Sequence, residues 1–235
     1  MSVWVARRFW TTATAVPADG GFTVHLDGRP VRTPLKAPLV LPTPGLAEAV
    51  AAEWQAQEGT VRPETMPFTR TANSAIDKVA AQQAEVVEML TAYGDSDLLC
   101  YRAEGPPELV ARHAAAWDPL LEWAAVTLGA PLTATAGVIH IDQPGQSLAA
   151  LEAQVSALTP FQLSAFHDLV AISGSLVLAL AVTHGRLSAE EAWSLSRIDE
   201  DWQISLWGED EEAAEIAALK RQAFLQADRF YGLCG

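Results

Sequence analysis

Residues 22–26 (Phe-Thr-Val-His-Leu) alternate apolar and polar side chains, the period of a strand with one buried face. Asp27-Gly28 follows, a pair that accepts the positive φ angles of a two-residue turn, and residues 29–33 return as a second strand. Pro30 puts the returning strand at an edge or a strand end. Residues 37–41 predict a short third strand, closed by Pro42 and Pro44. Three strands cannot bury their apolar face alone. The next segment supplies a cover, with Leu46, Ala49, Val50, Glu53 and Trp54 at helical spacing and Gly59 as a stop.

From about residue 76 the pattern is helical. Residues 71–92, 106–128, 148–158 and 159–183 each carry apolar positions at helical spacing, and residues 137–141 predict a strand or an extended connector. Ser188-Ala-Glu-Glu191 is a capping box that opens a helix running to Trp207. Gly208 breaks it, and residues 210–230 form a last helix, acid-first as the helix dipole prefers. The expected fold is α+β: a small N-terminal β-hairpin-containing α/β domain, residues 1–75, then a larger, mostly α-helical domain, residues 76–235.

Composition narrows the function. Of 235 residues, 50% are hydrophobic and eight are tryptophan, enough for a packed core. Fifteen Lys and Arg against 29 Asp and Glu leave a net charge of −14, which argues against nucleic acid and anionic lipid as partners. Residues 188–215 hold ten of the acids against Arg197 alone, while Arg7, Arg8, Arg29, Arg32 and Lys36 make the first 36 residues basic. That asymmetry serves either solubility and attraction between the two ends of the chain, or an acidic face offered to a basic partner. Cys100 and Cys234 make neither a disulfide framework nor a zinc cluster, and a reducing compartment is the simpler reading. The longest apolar stretch, residues 169–182, is too short to span a bilayer, so no membrane insertion is expected. Residues 1–10 show no secretory pattern, and the Met1 start favours a bacterial cytoplasm, with the mitochondrial matrix as the alternative for a processed chain.

Catalytic signatures are weak. Gly145-Gln-Ser147-Leu-Ala149 departs from a nucleophile elbow at Ala149, and Ser147 reads better as a helix N-cap. Asp95 and Asp97 could hold a hard cation but read better as a capping turn before Leu98. His25, His113, His140, His167 and His184 lie far apart with no helical pairing, so no metal site is expected. His167 beside Asp168 is a poor base and orienter, because adjacent helical residues diverge. No phosphate-binding glycine loop is present, and no cofactor is expected.

The 188–207 segment is the informative one. As one helix it places Leu195, Ile198, Trp202 and Leu206 on one face and Trp193, Arg197, Glu200, Ile204 and Trp207 on the other. Glu200 is then either a buried carboxylate paired with Arg197 or part of an interface anchor of aromatic residues and Arg.

An ordered set of short matches runs through the chain. Arg8-Phe9, Leu26-Asp27, Arg32-Thr33-Pro34, Leu46-Ala47, Ala52-Glu53-Trp54 and Asp97 with Cys100-Tyr101-Arg102 come first. Trp117-Asp118-Pro119, Glu122-Trp123, Leu195-Ser196-Arg197, Glu200, Gln203 and Trp207-Gly208 follow. The set resembles the assembly chaperones of the F1-ATPase alpha subunit, the family of ATP synthase mitochondrial F1 complex assembly factor 2. Asp199 and Trp202 depart mildly from that pattern, which has Glu and Tyr or Phe there. The resemblance implies a monomeric, non-catalytic protein that binds unassembled alpha subunit, shields its beta-facing surface and is displaced by beta. It puts the family's acidic position on Glu200, and the expected partner-binding residues are Glu200, Gln203 and Trp207, with Arg197 and Trp193 beside them. The rival reading is a hydrolase of an uncharacterised helical family using Asp95/Asp97 or Ser147.

Overall fold

The hairpin forms where the alternation places it. In the computed structural model, which describes residues 7–235, β2 (Gly21–Leu26) turns through Asp27 (φ +47°) and Gly28 (φ +81°) into β3 (Arg29–Pro30). The opening residues screened for a targeting signal, 1–6, lie outside the described residues. The third strand is not residues 37–41 but β1 (Ala13–Ala18), antiparallel to β2 with Ala13 opposite Leu26 and Ala18 opposite Gly21. Alanines and Pro17 hide the alternation of β1. Residues 37–41 make only the isolated bridges Arg32–Pro38 and Phe22–Leu41. The second bridge demands a close approach, since a Cβ on Gly21 would stand 2.3 Å from the Leu41 carbonyl oxygen.

Helix α1 (Pro44–Gln55) starts on Thr43, whose Oγ1 accepts from the Leu46 N–H at 3.1 Å, with proline at the first helical position. Its buried face, Leu46, Ala47, Val50 and Ala51, packs on β1 and β2 and supplies the cover that the sheet needs. Trp10, Val24, Leu39, Leu41 and Phe68 complete this core, with Phe230 from the C-terminal end of the chain. Glu53 on α1 accepts from Phe68 N, Thr69 N and Thr69 Oγ1 at 2.7–2.8 Å, so a neighbouring helix caps α2 (Pro67–Ser74). Burial nonetheless raises the Glu53 pKa.

The chain divides into two compact units. One holds the residues up to Gln83 with Thr159–Ala165 and Arg229–Gly235; the other holds Ala84–Leu158 and Phe166–Asp228. The remaining helices are α3 (Gln83–Thr91), α4 (Pro107–Thr127), α5 (Gly145–Ser156), α6 (Pro160–Ser173), α7 (Leu176–Thr183), α8 (Ala189–Leu195), α9 (Ile198–Trp207) and α10 (Glu211–Gly232). A two-residue parallel pair joins β4 (Tyr101–Arg102) to β5 (Thr135–Ala136). Residues 137–141 are therefore a connector, with Val138 and Ile139 exposed. No helix of the described residues is long and apolar enough to cross a membrane.

Two expected helices before residue 188 are broken. Residues 71–92 split into α2, a π-helical turn (Ala75–Val79) and α3. Residues 159–183 split at Gly174, whose φ of +71° ends α6; Ser175 then caps α7 by accepting from Leu178 N at 3.0 Å. Helix α7 is buried from Leu176 to Val182, and α4 and α8 pack against it.

The N-terminus of α7 is held by a carboxylate. Asp97 is fully buried; its Oδ1 accepts from Ser175 Oγ at 2.7 Å and Leu99 N at 3.0 Å, and its Oδ2 from Val177 N at 2.9 Å. The capping turn read from the sequence is present at Leu99, but the burial is not foreseen, because an Asp in a Gly-Asp-Ser-Asp run looks solvated. Burial pushes the Asp97 carboxyl up while the three donors pull it down. Asp97→Ala strands three buried donors at ~1–3 kcal/mol each. We expect the urea midpoint to fall by the equivalent of about 3 kcal/mol or more at unchanged m-value, with Asp97→Asn retaining part of the stability.

Candidate functional site

The segment expected as one helix from 188 to 207 is two helices. The capping box is present: Ser188 Oγ accepts from Glu191 N at 3.2 Å and Glu191 Oε2 accepts from Ser188 N at 2.8 Å. Helix α8 closes at Ser196, whose Oγ donates to the Trp193 carbonyl at 2.7 Å, and Arg197 leaves helical geometry with φ −116° and ψ 16°. A Ser hydroxyl that bonds backward competes with the helical ladder, which the apolar periodicity does not register. The kink is anchored to α4 on both sides. Trp117 Nε1 donates to the Leu195 carbonyl at 3.0 Å, and His113 Nε2 lies 3.0 Å from Asp199 Oδ1. His113 stacks on Trp117 with ring centroids 4.1 Å apart, and its Nδ1 accepts from Ala103 N at 3.2 Å.

Beyond the kink, α8, α9 and α10 enclose a groove of about 330 Å³. Trp193, Arg197, Gln203, Ile204 and Trp207 line it, facing Ala213, Ala214, Ala217 and Ala218 of α10, with Asp201, Glu209 and Asp210 at its edge. Four of the five expected partner-binding residues thus meet at one place. Trp193 is buried, under the Arg197 guanidinium at 5.3 Å and 6.2 Å from the Phe224 ring. Trp207 is the opposite case, 82% exposed. Arg221 of α10 bonds both Glu190 oxygens of α8, Nη2 at 2.6 and 2.7 Å and Nε at 3.1 Å, clamping the two outer walls.

Glu200, the fifth residue, is not a buried carboxylate. Its side chain is 56% exposed and lies 4.0 Å from Arg197 Nη1, while Arg197 Nε is 3.8 Å from Asp201. Both pairs are too long for good hydrogen bonds, and exposed pairs of this kind contribute at most about 1 kcal/mol. Glu200 and Asp201 are therefore free to re-pair with another surface, whereas Asp199 is tied to His113. The two-faced reading of this helix also changes: Ile198 is buried, Trp202 is half-buried, and Leu206 is exposed with Trp207.

The other candidates fall elsewhere. Ser147 is not an N-cap; it lies buried in the first turn of α5 and donates to the Pro131 carbonyl at 2.7 Å. Asp97 is committed to Ser175 and two backbone N–H groups, whereas Asp95 Oδ1 accepts from Gln143 N at 2.9 Å. Asp95 meets His140, whose Nε2 lies 3.4 Å from Asp95 Oδ2 and 3.3 Å from Asp142 Oδ1. These three could offer ligand atoms within 4.8 Å of one another. Sequence spacing hides the group because Asp95 and His140 are 45 positions apart. His167 and Asp168 do meet, at 3.0 Å, against the expectation from their adjacent helical positions; that hydrogen bond raises the His167 pKa.

A family model described as ATP12 chaperone protein matches residues 7–125. The chain belongs to the ATP12 chaperone family. This makes it an assembly chaperone of the F1-ATPase, as the sequence resemblance implies. Protein atp12, mitochondrial, of Schizosaccharomyces pombe is 29% identical over 225 residues, covering 89% of this chain and 76% of that protein. The crystal structure of Atp12 from Paracoccus denitrificans matches at TM-score 0.95 and 51% identity over 98% of this chain and 99% of that one. A protein from Agrobacterium tumefaciens described as a candidate chaperone matches at TM-score 0.91 and 44% identity, over 97% and 85% of the two chains.

The tie beneath α9 is testable by pH. Burial holds the His113 pKa below 6.5, against the pull of Asp199. The neutral ring therefore contributes stability above pH 6.5 that is lost as pH falls through the depressed value. In an NMR titration the His113 midpoint should lie below 6.5, and Asp199→Asn should lower it further. A parent midpoint at or above 6.5 would contradict burial as the cause, and an upward move in Asp199→Asn would contradict the pull of Asp199.

Proposed function

We propose that this chain binds the unassembled F1-ATPase alpha subunit through the α8–α10 groove, shields the surface that alpha offers to beta, and is displaced by beta. The observation that carries the reading is Trp207. It is a large aromatic left open to solvent at the mouth of a groove that also gathers Trp193, Arg197 and Gln203, with Glu200 exposed alongside. Aromatic residues and arginine are the usual anchors of interfaces, and an exposed tryptophan beside small alanines gives a knob and a receptive floor.

An alpha subunit without its partner exposes apolar surface and aggregates, so a cap must bind well enough to prevent this and less tightly than beta. The loosely paired charges of α9 suit that demand, because steering by charge raises association rate more than final affinity. The chain acts without catalysis, as a monomer, in a bacterial cytoplasm or a mitochondrial matrix. Two of the three residues of the hydrolase alternative are engaged in holding the fold, Asp97 inside the helical unit and Ser147 on a backbone carbonyl, which favours the chaperone reading; Asp95 lies beside His140.

Trp207→Ala and Glu200→Lys each alter an exposed side chain, so their circular dichroism and thermal midpoints should match the parent. Binding to isolated alpha subunit should weaken at least tenfold for each, measured by calorimetry or surface capture. Unchanged affinity in both variants would place the contact elsewhere.

A further inference from the structure

A second concavity lies wholly within the β-containing unit, between loop 33–36, α1 and α2, with a volume of about 600 Å³. That is the size of a pocket for a few side chains. Its walls include Leu35, Trp54, Val61, Pro63 and Met66. Arg32, Lys36, Arg70 and Lys78 stand around it and are all exposed, in a chain whose net charge is −14. The acid among the lining residues, Asp77, is already engaged: it accepts from Thr33 Oγ1 at 2.6 Å and from Leu35 N at 3.1 Å. Asp77 thereby fixes the loop, in which Lys36 holds a left-handed φ of +69°, and the loop presents Leu35 71% exposed at the rim. Arg32 Nη1 donates to the Lys36 carbonyl at 2.9 Å, but none of the four cations is in a salt bridge among the described residues, so their charges face whatever enters.

Two further atoms indicate what enters. Trp54 Nε1 and Asn73 Oδ1 are buried from water and lack a hydrogen-bond partner, and both belong to residues that line this cavity. Native structures rarely leave such atoms unsatisfied without a reason. One is a donor and the other an acceptor. Neither atom is open to water, so an entering group reaches them only when the Trp54 and Asn73 side chains turn toward the cavity; a peptide group then offers the complement of both, a carbonyl for the indole N–H and an N–H for the amide oxygen.

We propose that this cavity docks an extended peptide segment of the client chain in which acidic side chains alternate with bulky apolar ones. The apolar side chain enters between Trp54 and Met66, the carboxylates meet Arg70 and Lys78, and the backbone satisfies Trp54 and Asn73 as those two side chains turn toward the cavity. The site deepens the chaperone reading and rests on it for the word client, but the pocket's own chemistry can be tested alone.

The probes are two capped synthetic peptides, acetyl-Leu-Asp-Phe-Glu-Leu-amide and its charge-reversed counterpart acetyl-Leu-Lys-Phe-Lys-Leu-amide, added to the full chain. The readout is the Trp54 indole N–H resonance, assigned with Trp54→Phe. The acidic peptide should shift that resonance downfield and saturate, the basic peptide should not, and Arg70→Glu with Lys78→Glu should weaken binding at least tenfold. Both cations are exposed, so the fold should survive the change, and an unchanged spectrum away from the pocket verifies it. No shift with the acidic peptide at millimolar concentration, or equal binding of the basic peptide, overturns the proposal. Failure to bind alpha subunit by a chain that still binds the acidic peptide overturns the choice of client and leaves the pocket assignment intact.

Discussion

The carboxylate of Asp97 is the fixed point of the helical unit. It binds the hydroxyl of Ser175 and the Val177 N–H, and Leu98 N donates to the Gly174 carbonyl at 3.1 Å, so the 97–99 turn is stitched to the start of α7. Helix α7 has no polar face of its own. A helix that is apolar all round can sit anywhere in a core unless something sets its position. An interior carboxylate with three directional bonds sets both depth and rotation, at the cost of desolvating one charge. Helices α4 and α8 then pack on α7, and α4 packs on α9. The position of the groove follows from a chain of contacts that begins at Asp97.

The kink at 196–197 turns that scaffold into a surface. A straight helix from 188 to 207 would carry Trp193 and Trp207 on one stripe, both in or both out. The break lets Trp193 pack beside Phe224 while Trp207 stands in solvent. Trp117 and His113 hold the break from below, one by a bond to the Leu195 carbonyl and the other through Asp199. Rigid support under an open aromatic is what an interface anchor needs, because affinity depends on how little must be ordered on binding. The weak Arg197 pairs above it leave charge available at little cost in stability.

What was legible in the sequence was local chemistry. Asp27-Gly28 demanded a hairpin turn, Ser188 and Glu191 a capping box, and both are present because each depends on residues within three positions. The breaks were less legible. Gly174 sits inside an unbroken apolar run, and Ser196-Arg197 inside a good amphipathic one, so periodicity carried the expected helix straight through. Strand β1 was missed because alanine and Pro17 do not alternate visibly, and its pairing is enforced from β2 and α1. The sequence presents Asp97 as part of a capping turn and Ser147 as an N-cap and is silent on their burial, since burial of a short polar side chain is decided by partners such as Ser175 and Pro131, far away in sequence. Glu200 left two readings open on sequence alone; its exposure removes the buried one. The unpartnered Trp54 and Asn73 atoms have no sequence signature at all.

The central claim is that the α8–α10 groove is the surface on which an F1 alpha subunit is held. Amide hydrogen exchange of the whole chain, alone and with isolated alpha subunit, addresses it without any substitution. Slowed exchange across residues 197–221 on adding alpha, returning to the free rate when beta is supplied, is the expected result. Unchanged exchange in that segment, with alpha demonstrably bound, would contradict it.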